Sequence, residues 1–364
     1  MKPITILRAM FRTGRHLYED FADAGKRAEG WRMMQAAKRA ARRLGILLTF
    51  GAGVGIVAAT LAWALPGPWY LDLFGHFRAH YALALTLAAG LLGLGRAWRW
   101  LAAALALLGI GGAPLVPLWS ASPGAAAGAS LRVVHFNVLS QNHAYAAVEA
   151  WLGGTGADLV FVQEVSPRWA AALGAMPGYR TLAMVPRADN FGIAALAREG
   201  LRVRASEVVA LAEELPAIRV DLEHEGRQLS FLSVHTLPPV SGPYAQVRDQ
   251  QIAAAGGWAA ARRGEGAAPV VIGDLNATPW SAPLRAMVAD AGLVDSQRGH
   301  GLQASWPTGG GLHGLLRIPI DHCLHDPALV TRARSLGPEL GSDHRPVVVE
   351  LAWAAGGDGR GRSR

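Results

Sequence analysis

Val270-Val-Ile-Gly-Asp274-Leu-Asn276 carries the strongest structural signal in this chain. Its β-branched run predicts a buried strand, and its glycine lets the backbone turn so that two polar side chains follow the strand. Five other apolar runs end in the same way: Leu131-Arg-Val-Val-His-Phe-Asn137, Asp158-Leu-Val-Phe-Val-Gln-Glu164, Leu232-Ser-Val-His235, Ile320-Asp321-His322 and Gly341-Ser-Asp343-His344-Arg-Pro. Because strand ends can meet at one sheet edge, the six motifs predict a single polar site, with ligands that suit a hard divalent cation and phosphoryl chemistry.

The distribution of charge divides the chain into regions of different kinds. Residues 1–43 hold eleven Lys/Arg against four Asp/Glu, whereas residues 130–364 hold 21 against 22. The net charge of +8 therefore belongs to the N-terminal arm, and it does not mark the C-terminal region as a nucleic-acid-binding domain. The single cysteine, Cys323, excludes an intrachain disulfide and is expected to be an apolar core residue.

The nearly uncharged region 44–119 predicts about three membrane-spanning helices. Residues 44–65 form an uncharged run of 22 residues, which is long enough to cross a bilayer core of about 30 Å. Residues 81–95 and 101–119 are also apolar but shorter, and 81–95 is compatible with a re-entrant or tilted segment as well. The turn at 66–70, Pro-Gly-Pro-Trp-Tyr, is typical of the membrane interface.

Basic residues predict the orientation of these helices in an inner or plasma membrane. The arm 1–43 and the turn that contains Arg96 and Arg99 are expected on the cytoplasmic side. Three crossings would then place the C-terminal domain outside the cytoplasm, whereas two would leave it inside. The arm is expected to be either a helix on the membrane surface, in contact with anionic lipid, or a solvated and partly disordered segment.

The remaining pattern predicts a small-residue linker over 120–130, one mixed α/β domain over 131–352 and a disordered tail over 353–364. Successive strand patterns between 191 and 235 predict antiparallel pairing, and Ala-rich helical stretches flank the other strands. A mixed α/β sandwich is therefore favoured over a purely parallel, doubly wound sheet.

The six motifs, taken in order, resemble those of the endonuclease/exonuclease/phosphatase superfamily, and the resemblance covers residues 131–352. It implies a four-layer α/β sandwich of two mixed sheets (a DNase I-like fold), here in a membrane-anchored member of bacterial type. It also implies that Glu164 and Asn137 bind Mg²⁺ or Mn²⁺, that Asp274 orients or deprotonates the attacking water, and that Asn276 holds a phosphate oxygen.

The resemblance assigns roles to the remaining motif residues as well. His344 would act on the scissile phosphate as a base or as a transition-state stabiliser, with Asp343 tied to the site. Asp321 would support the histidine network or the phosphate. His235 would protonate the leaving oxygen or orient the phosphate, and it would mark the branches of the superfamily that carry this histidine.

These roles predict a metal-dependent phosphoester hydrolase, in the first place a phosphodiesterase that acts on lipid headgroups or on another extracytoplasmic phosphoester. The alternative is a membrane-tethered endonuclease or exonuclease acting on DNA or RNA, and a non-catalytic binding module is a third reading. Membrane lipids are expected partners through the helices and the basic arm, and the sequence names no protein partner. Arg248 and Asp249 could touch the site or form a surface pair, and Trp280 and Trp306 are expected in the core.

Overall fold

A computed structural model of the chain describes residues 3–64, 68–122, 124–212 and 214–356. The chain divides into two compact units. One comprises the residues up to Val54 together with Tyr81–Gly112, and the other comprises Gly55–His80 together with the residues from Ala113 onward.

Long apolar helices dominate the N-terminal third. They are α1 (Pro3–Ala64), α2 (Trp69–Gly75), α3 (Arg78–Leu94) and α4 (Trp98–Gly112), followed by a 3₁₀ turn (Ala113–Leu115) and α5 (Pro117–Ser120). Lys26–Trp63 and Trp98–Leu115 are each long and apolar enough to cross a membrane. The pair α2 and α3, bent by 53°, would supply a third crossing if the two count as one span.

The structure refines several predicted boundaries. The N-terminal arm is helical from Pro3 onward, as part of α1. Residues 66 and 67 of the predicted turn at 66–70 lie outside the described residues, and the last two residues of the turn form the start of α2. The first strand begins at Ala126, within the predicted linker, because the last strand extends to Ala354 and pairs with it. The predicted tail lies outside the described residues from 357 onward.

Twelve strands in the described part of the chain form two six-stranded sheets. In chain order they are β1 (Ala126–Asn137), β2 (Leu159–Gln163), β3 (Tyr179–Val185), β4 (Ile193–Arg198), β5 (Val203–Ala210), β6 (Pro216–His224), β7 (Arg227–Ser233), β8 (Ala268–Asp274), β9 (Val294–Asp295), β10 (Asp321–His325), β11 (Leu329–Leu336) and β12 (Val347–Ala354). The first sheet has the order β11-β12-β1-β2-β4-β3 and the second the order β5-β6-β7-β8-β10-β9. The pairs β1–β2 and β7–β8 are parallel, whereas the other named pairs are antiparallel, so both sheets are mixed.

Helices cover the outer face of each sheet. They are α6 (Tyr145–Thr155), α7 (Pro167–Gly174), α8 (Gly242–Gly264) and α9 (Ala282–Asp290), and a short α10 spans Leu312–Leu315. Ser166 and Ser241 cap the N-termini of α7 and α8, since each hydroxyl accepts a backbone N–H of the first turn, and a proline is the first or second residue of each helix. The layers therefore run helix, sheet, sheet, helix, and the predicted four-layer α/β sandwich is confirmed.

Side chains on the inner faces of the two sheets form the central core. Phe161 of β2 and Phe231 of β7 stack across it with ring centroids 5.7 Å apart. Strand residues alternate between faces, so Leu131, Val133, His135 and Asn137 all lie on the inner face of β1. The core layer that begins with leucine and valine thus becomes polar at one end of the sandwich.

Candidate active site

The polar end of the sandwich brings together residues from both sheets. Asn137 ends β1 and Glu164 directly follows β2, its parallel neighbour. In the second sheet, Asp274 ends β8 and pairs in register with Asp321, the first residue of β10. His235 lies two residues beyond β7, and Asp343 and His344 lie just before β12.

Asp321 lies at the centre of a buried three-residue network. Its Oδ1 is 2.7 Å from His135 Nε2, and its Oδ2 is 2.9 Å from His344 Nδ1. Burial alone would raise the pKa of the Asp321 carboxyl, but the charge of His344 and the hydrogen bonds of both histidines hold that pKa well below its usual range. Asp321 is therefore an anion that fixes the orientation of His344.

Carboxylates beside both ring nitrogens favour the charged form of His344. Burial opposes its protonation, but Asp321 and Asp274 outweigh burial and raise the pKa of its imidazole to about 10. Its Nε2 lies 3.5 Å from Asp274 Oδ2. The charged imidazole therefore faces the same space as the Asp274 carboxyl.

Asp274 has the protonation behaviour of a general base. Burial raises the pKa of its carboxyl to about 7, with His344 acting in the opposite direction. Its Oδ2 also lies 3.6 Å from His235 Nε2. A carboxyl whose pKa lies near neutrality, and which lies beside the imidazoles of His235 and His344, can accept a proton from water.

His235 is neutral in this arrangement, because burial and then the charge of His344 lower its imidazole pKa to about 3. The aromatic ring of Phe191 packs beside it at a centroid distance of 5.2 Å. Of the two roles expected for His235, this environment favours orientation of a phosphate over donation of a full proton.

Glu164 and Asn137 lie next to this network. Asn137 Nδ2 donates to Glu164 Oε1 at 3.0 Å and to Asp274 Oδ2 at 3.3 Å, and Asn137 Oδ1 accepts the backbone N–H of Leu139 at 3.1 Å. The Asn137 amide therefore holds two buried carboxyls together. Glu164 has a positive φ of 60°, a backbone strain that non-glycine residues adopt rarely and mostly at functional sites.

The site has the features of a divalent-cation site. Burial raises the pKa of the Glu164 carboxyl, whose oxygens accept hydrogen bonds from the neutral donors Asn137 Nδ2 and Ser140 N. A divalent cation would offset the cost of burying this carboxylate. Asp274, Asp321 and His344 also bring ligand atoms within 4.8 Å of one another. Because both ring nitrogens of His344 already face carboxylate oxygens, Glu164 is the better candidate ligand.

Two predicted residues lie at the edge of the site. Asp343 is half-buried and accepts a hydrogen bond from Trp306 Nε1 at 3.0 Å. Trp306, expected in the core, is thus a neighbour of the site, with its ring centroid 6.4 Å from that of His344. Asn276 has a positive φ of 46°, and its Nδ2 donates to Thr236 O at 2.9 Å.

His135 and Gln163 belong to the site but received no role from the sequence. His135 binds Asp321, while Gln163 donates to Val234 O at 2.7 Å and accepts from Asp274 N at 2.9 Å, so that it joins the two sheets. Strand alternation was the available signal, because both residues occupy inward positions that an apolar residue would normally fill.

Comparisons with known proteins agree with this geometry. Residues 134–344 match the Endonuclease/Exonuclease/phosphatase family. The solved structures that resemble this chain include a 3' phosphatase, NExo from Neisseria, bound to a product DNA hairpin (20% identity, TM-score 0.52, covering 61% of this chain and 100% of that one). They also include the human Nocturnin catalytic domain with a bound sulfate anion (18% identity, TM-score 0.51, covering 62% and 94%).

A third similar structure is an endonuclease/exonuclease/phosphatase family protein from Bacteroides thetaiotaomicron (18% identity, TM-score 0.50, covering 63% of this chain and 97% of that one). At these identities the likenesses establish the fold. A comparison with curated proteins gives no match. The family resemblance inferred from the six motifs is confirmed.

Proposed function

This chain belongs to the endonuclease/exonuclease/phosphatase family, and we propose that it is a membrane-anchored phosphoester hydrolase that depends on a divalent cation. One observation carries the proposal: five residues form one continuous buried polar network. Hydrogen bonds join Glu164 to Asn137 and Asn137 to Asp274, an ion pair at 3.5 Å joins Asp274 to His344, and a hydrogen bond joins His344 to Asp321. Glu164 supplies a carboxylate that suits a cation, Asp274 supplies a base whose pKa lies near neutrality, and His344 supplies a positive charge in a fixed position.

The residues divide the chemistry of hydrolysis among them. Glu164, with Asn137 beside it, would hold Mg²⁺ or Mn²⁺, which supplies positive charge to a phosphate oxygen. Asp274 accepts the proton of the attacking water as the water oxygen bonds to phosphorus and the bond to the leaving oxygen breaks, and the leaving oxygen takes its proton from solvent. His344 donates its Nε2 hydrogen bond to the negative charge that develops on the phosphate, while Asp321 keeps it protonated and oriented.

Three neighbours complete the proposed roles. His235 orients the phosphate through a neutral imidazole, and Asn276 positions a phosphate oxygen from the loop after β8. Asp343 holds Trp306 against the edge of the site. Removing one group that stabilises the transition state costs about 10²–10³-fold in rate.

Membrane anchoring is supported by the apolar helices and the basic arm. Helix α2 and the 3₁₀ turn after α4 both hydrogen-bond to the catalytic domain, through Asp72 with Ala282 and through Pro114 with Trp280. Because the chain leaves the domain at one and returns at the other, the helices between them cross the membrane either twice or not at all. With one crossing by α1, the total is odd, which supports an extracytoplasmic catalytic domain.

A lipid headgroup or another extracytoplasmic phosphoester is the proposed substrate. Exposed apolar side chains occur in both segments that follow site residues: Val240 and Tyr244, before and in the first turn of α8, and Leu315 and Leu316, at the end of α10. Apolar side chains beside membrane-proximal helices suit the interface of a bilayer. The near-neutral charge of residues 130–364 gives little support to sequence-independent binding of nucleic acid.

Turnover by the full-length chain in detergent with Mg²⁺ or Mn²⁺ tests the function. The substrates are phospholipid micelles, bis-p-nitrophenyl phosphate and plasmid DNA, with Asp274→Asn as the inactive variant. Asp221→Asn is the control, since Asp221 lies on β6 of the same sheet and binds Ser230 instead of site residues. We expect lipid or diester turnover that falls at least ~10²-fold in Asp274→Asn only.

Other outcomes would replace the proposal. DNA cleavage without lipid turnover would make the protein a tethered nuclease. Metal binding without turnover of any phosphoester would make it a binding module. Full activity in Asp274→Asn would refute the assignment of the site.

A further inference from the structure

The loop that follows the proposed general base is packed against segments from the N-terminal third. Trp280 is 2% exposed. Its carbonyl oxygen accepts the Trp63 indole N–H at 2.8 Å, and its own indole N–H donates to Pro114 O at 3.3 Å. A Cβ at Gly75 would lie only 3.5 Å from the Trp280 carbonyl oxygen. The core environment expected for Trp280 thus comes from the end of α1, from α2 and from the turn after α4.

Asp72 of α2 makes the most specific of these contacts. Its Oδ1 accepts the backbone N–H of Ala282 at 2.8 Å, and its Oδ2 accepts the Ser281 hydroxyl at 2.6 Å. Ala282 is the first residue of α9, so Asp72 satisfies an N–H that has no partner within that helix. A carboxylate from a membrane-proximal helix therefore caps a helix of the catalytic domain.

Asp72 also meets a buried arginine that reaches the catalytic loop. Arg248 of α8 is 1% exposed and donates from Nη2 to Asp72 Oδ2 at 3.1 Å. Its Nη1 donates to the backbone oxygen of Asn276 at 3.4 Å, and its Nε donates to Asp249 at 2.8 Å. The sequence left open whether Arg248 touches the site, and the structure places it directly behind Asn276.

The backbone of Asn276 needs such support. Its φ of 46° lies in the left-handed region, a conformation that a residue with a side chain keeps where surrounding contacts hold it. Arg248 holds its carbonyl oxygen, and the Asp274 carboxylate accepts its N–H at 2.9 Å. The conformation that presents Asn276 to the site therefore depends on the position of Arg248.

We propose that Asp72 is a positioning residue of the active site: it fixes Arg248, and through Arg248 it holds the Asn276 loop in the conformation that binds a phosphate. The segment between α1 and α3 is then part of the catalytic unit as well as a connection between membrane helices. This inference rests on the proposed hydrolase function for its kinetic consequence. A fragment that lacks Asp72 would leave the buried Arg248 charge with the half-exposed Asp249 as its remaining carboxylate partner, and removing one partner of a buried charge is unfavourable.

The chain contains a closely matched control carboxylate. Asp326 pairs with Arg263, which also lies on α8, and its Oδ1 accepts the backbone N–H of Ala328 at 2.7 Å. The side chains of Asp72 and Asp326 are 8% and 9% exposed. Asp72→Asn and Asp326→Asn therefore each remove a buried carboxylate that pairs with an arginine of α8, although Arg263 is 37% exposed and Arg248 only 1%. Only the first pair touches the loop that carries Asn276.

Two measurements on the full-length chain in detergent separate a positioning role from a general loss of stability. Amide hydrogen exchange in residues 274–282 should rise about tenfold in Asp72→Asn and stay unchanged in Asp326→Asn. At a temperature where every variant is folded, kcat should fall about ten- to hundredfold in Asp72→Asn, with KM changed by about twofold at most. Arg248→Gln should cost a similar factor, and the double variant should cost no more than Arg248→Gln alone.

The opposite results would overturn the inference. Unchanged exchange in 274–282, an equal loss of kcat in Asp326→Asn, or additive losses in the double variant would each show that Asp72 does not act through Arg248. Absence of turnover by the wild-type chain would refute the proposed function instead, and the exchange measurement would still decide whether Asp72 holds the loop.

Discussion

Replacing Gln163 by methionine should weaken both the fold and the site. The Gln163 side chain is fully buried between the sheets, where it donates to Val234 O and accepts from Asp274 N. Gly273 packs so closely that a Cβ there would lie 2.5 Å from Gln163 Nε2. Methionine has a similar volume and flexibility, so the substitution Gln163→Met removes the two hydrogen bonds without creating a large cavity.

The magnitude follows from the two groups left behind. The Val234 carbonyl and the Asp274 N–H would stay buried without this partner, at a cost of about 1–3 kcal/mol each, or ~2–6 kcal/mol together. Since a domain is stable by only ~5–15 kcal/mol, this is a large fraction of the total. At ~2–4 °C per kcal/mol, Tm should fall by about 4–24 °C.

Thermal unfolding of the full-length chain, followed by circular dichroism in detergent, measures the change. The control is Gln228→Met, at an exposed position on β7, which should alter stability by no more than ~0.5 kcal/mol. In addition, kcat of Gln163→Met should fall because Gln163 holds the backbone of the proposed base. A loss below ~1 kcal/mol, or a loss equal to that of Gln228→Met, would refute the bridging role.

Three further predictions concern the cation, acid stability and the turn after β8. Removing divalent cations with a chelator should lower Tm, and Mg²⁺ at ~100 times its Kd should restore about 2.7 kcal/mol in the wild type but much less in Glu164→Gln, measured by thermal unfolding. His325 is buried and bonded to Thr331 Oγ1, and burial lowers its imidazole pKa. Only the unfolded chain then takes up this proton, so the contribution of His325 to the free energy of unfolding is present above its unfolded pKa of about 6.5 and is lost as pH falls below that value. In denaturant titrations the loss relative to His325→Gln should reach up to ~1.4 kcal/mol per pH unit. Gly273 has a φ of 148°, and a Cβ there would lie 2.0 Å from Val234 O, so Gly273→Ala should prevent stable folding, seen as loss of the monodisperse peak in size-exclusion chromatography.

Much of the fold could be read from local patterns. Apolar runs predicted strands that end at the motifs of Glu164 and Asp274, and the structure has them at Leu159–Gln163 and Ala268–Asp274. The antiparallel pairing predicted for successive strands between 191 and 235 is observed for β5, β6 and β7. Such features depend on a few neighbouring residues, and this is why the sequence predicts them. The end of the linker was harder to predict, because β1 begins where β12 happens to offer a partner.

The site could be predicted as a set of residues but not as a set of contacts. The six motifs selected the strand ends, and the structure brings Glu164, Asn137, Asp274 and His344 together. Which carboxylate binds His344 could not be read from the motif, in which Asp343 is the immediate neighbour. The structure has Asp321 on the imidazole and Asp343 on Trp306, and both partners come from segments distant in the chain.

The sequence by itself determined where strands, apolar helices and charged segments occur, which residues share a strand face, and which family of folds they build. The tertiary structure alone decided that His135 meets Asp321, that Gln163 joins the two sheets and that Asp72 of α2 pairs with Arg248. The physical reason is the distance along the chain between the residues that interact. Alternation and apolar length are properties of neighbouring residues, whereas a buried carboxylate finds its partner only when segments separated by about half the chain close around one low-dielectric space, in which an unpaired charge is too costly to remain.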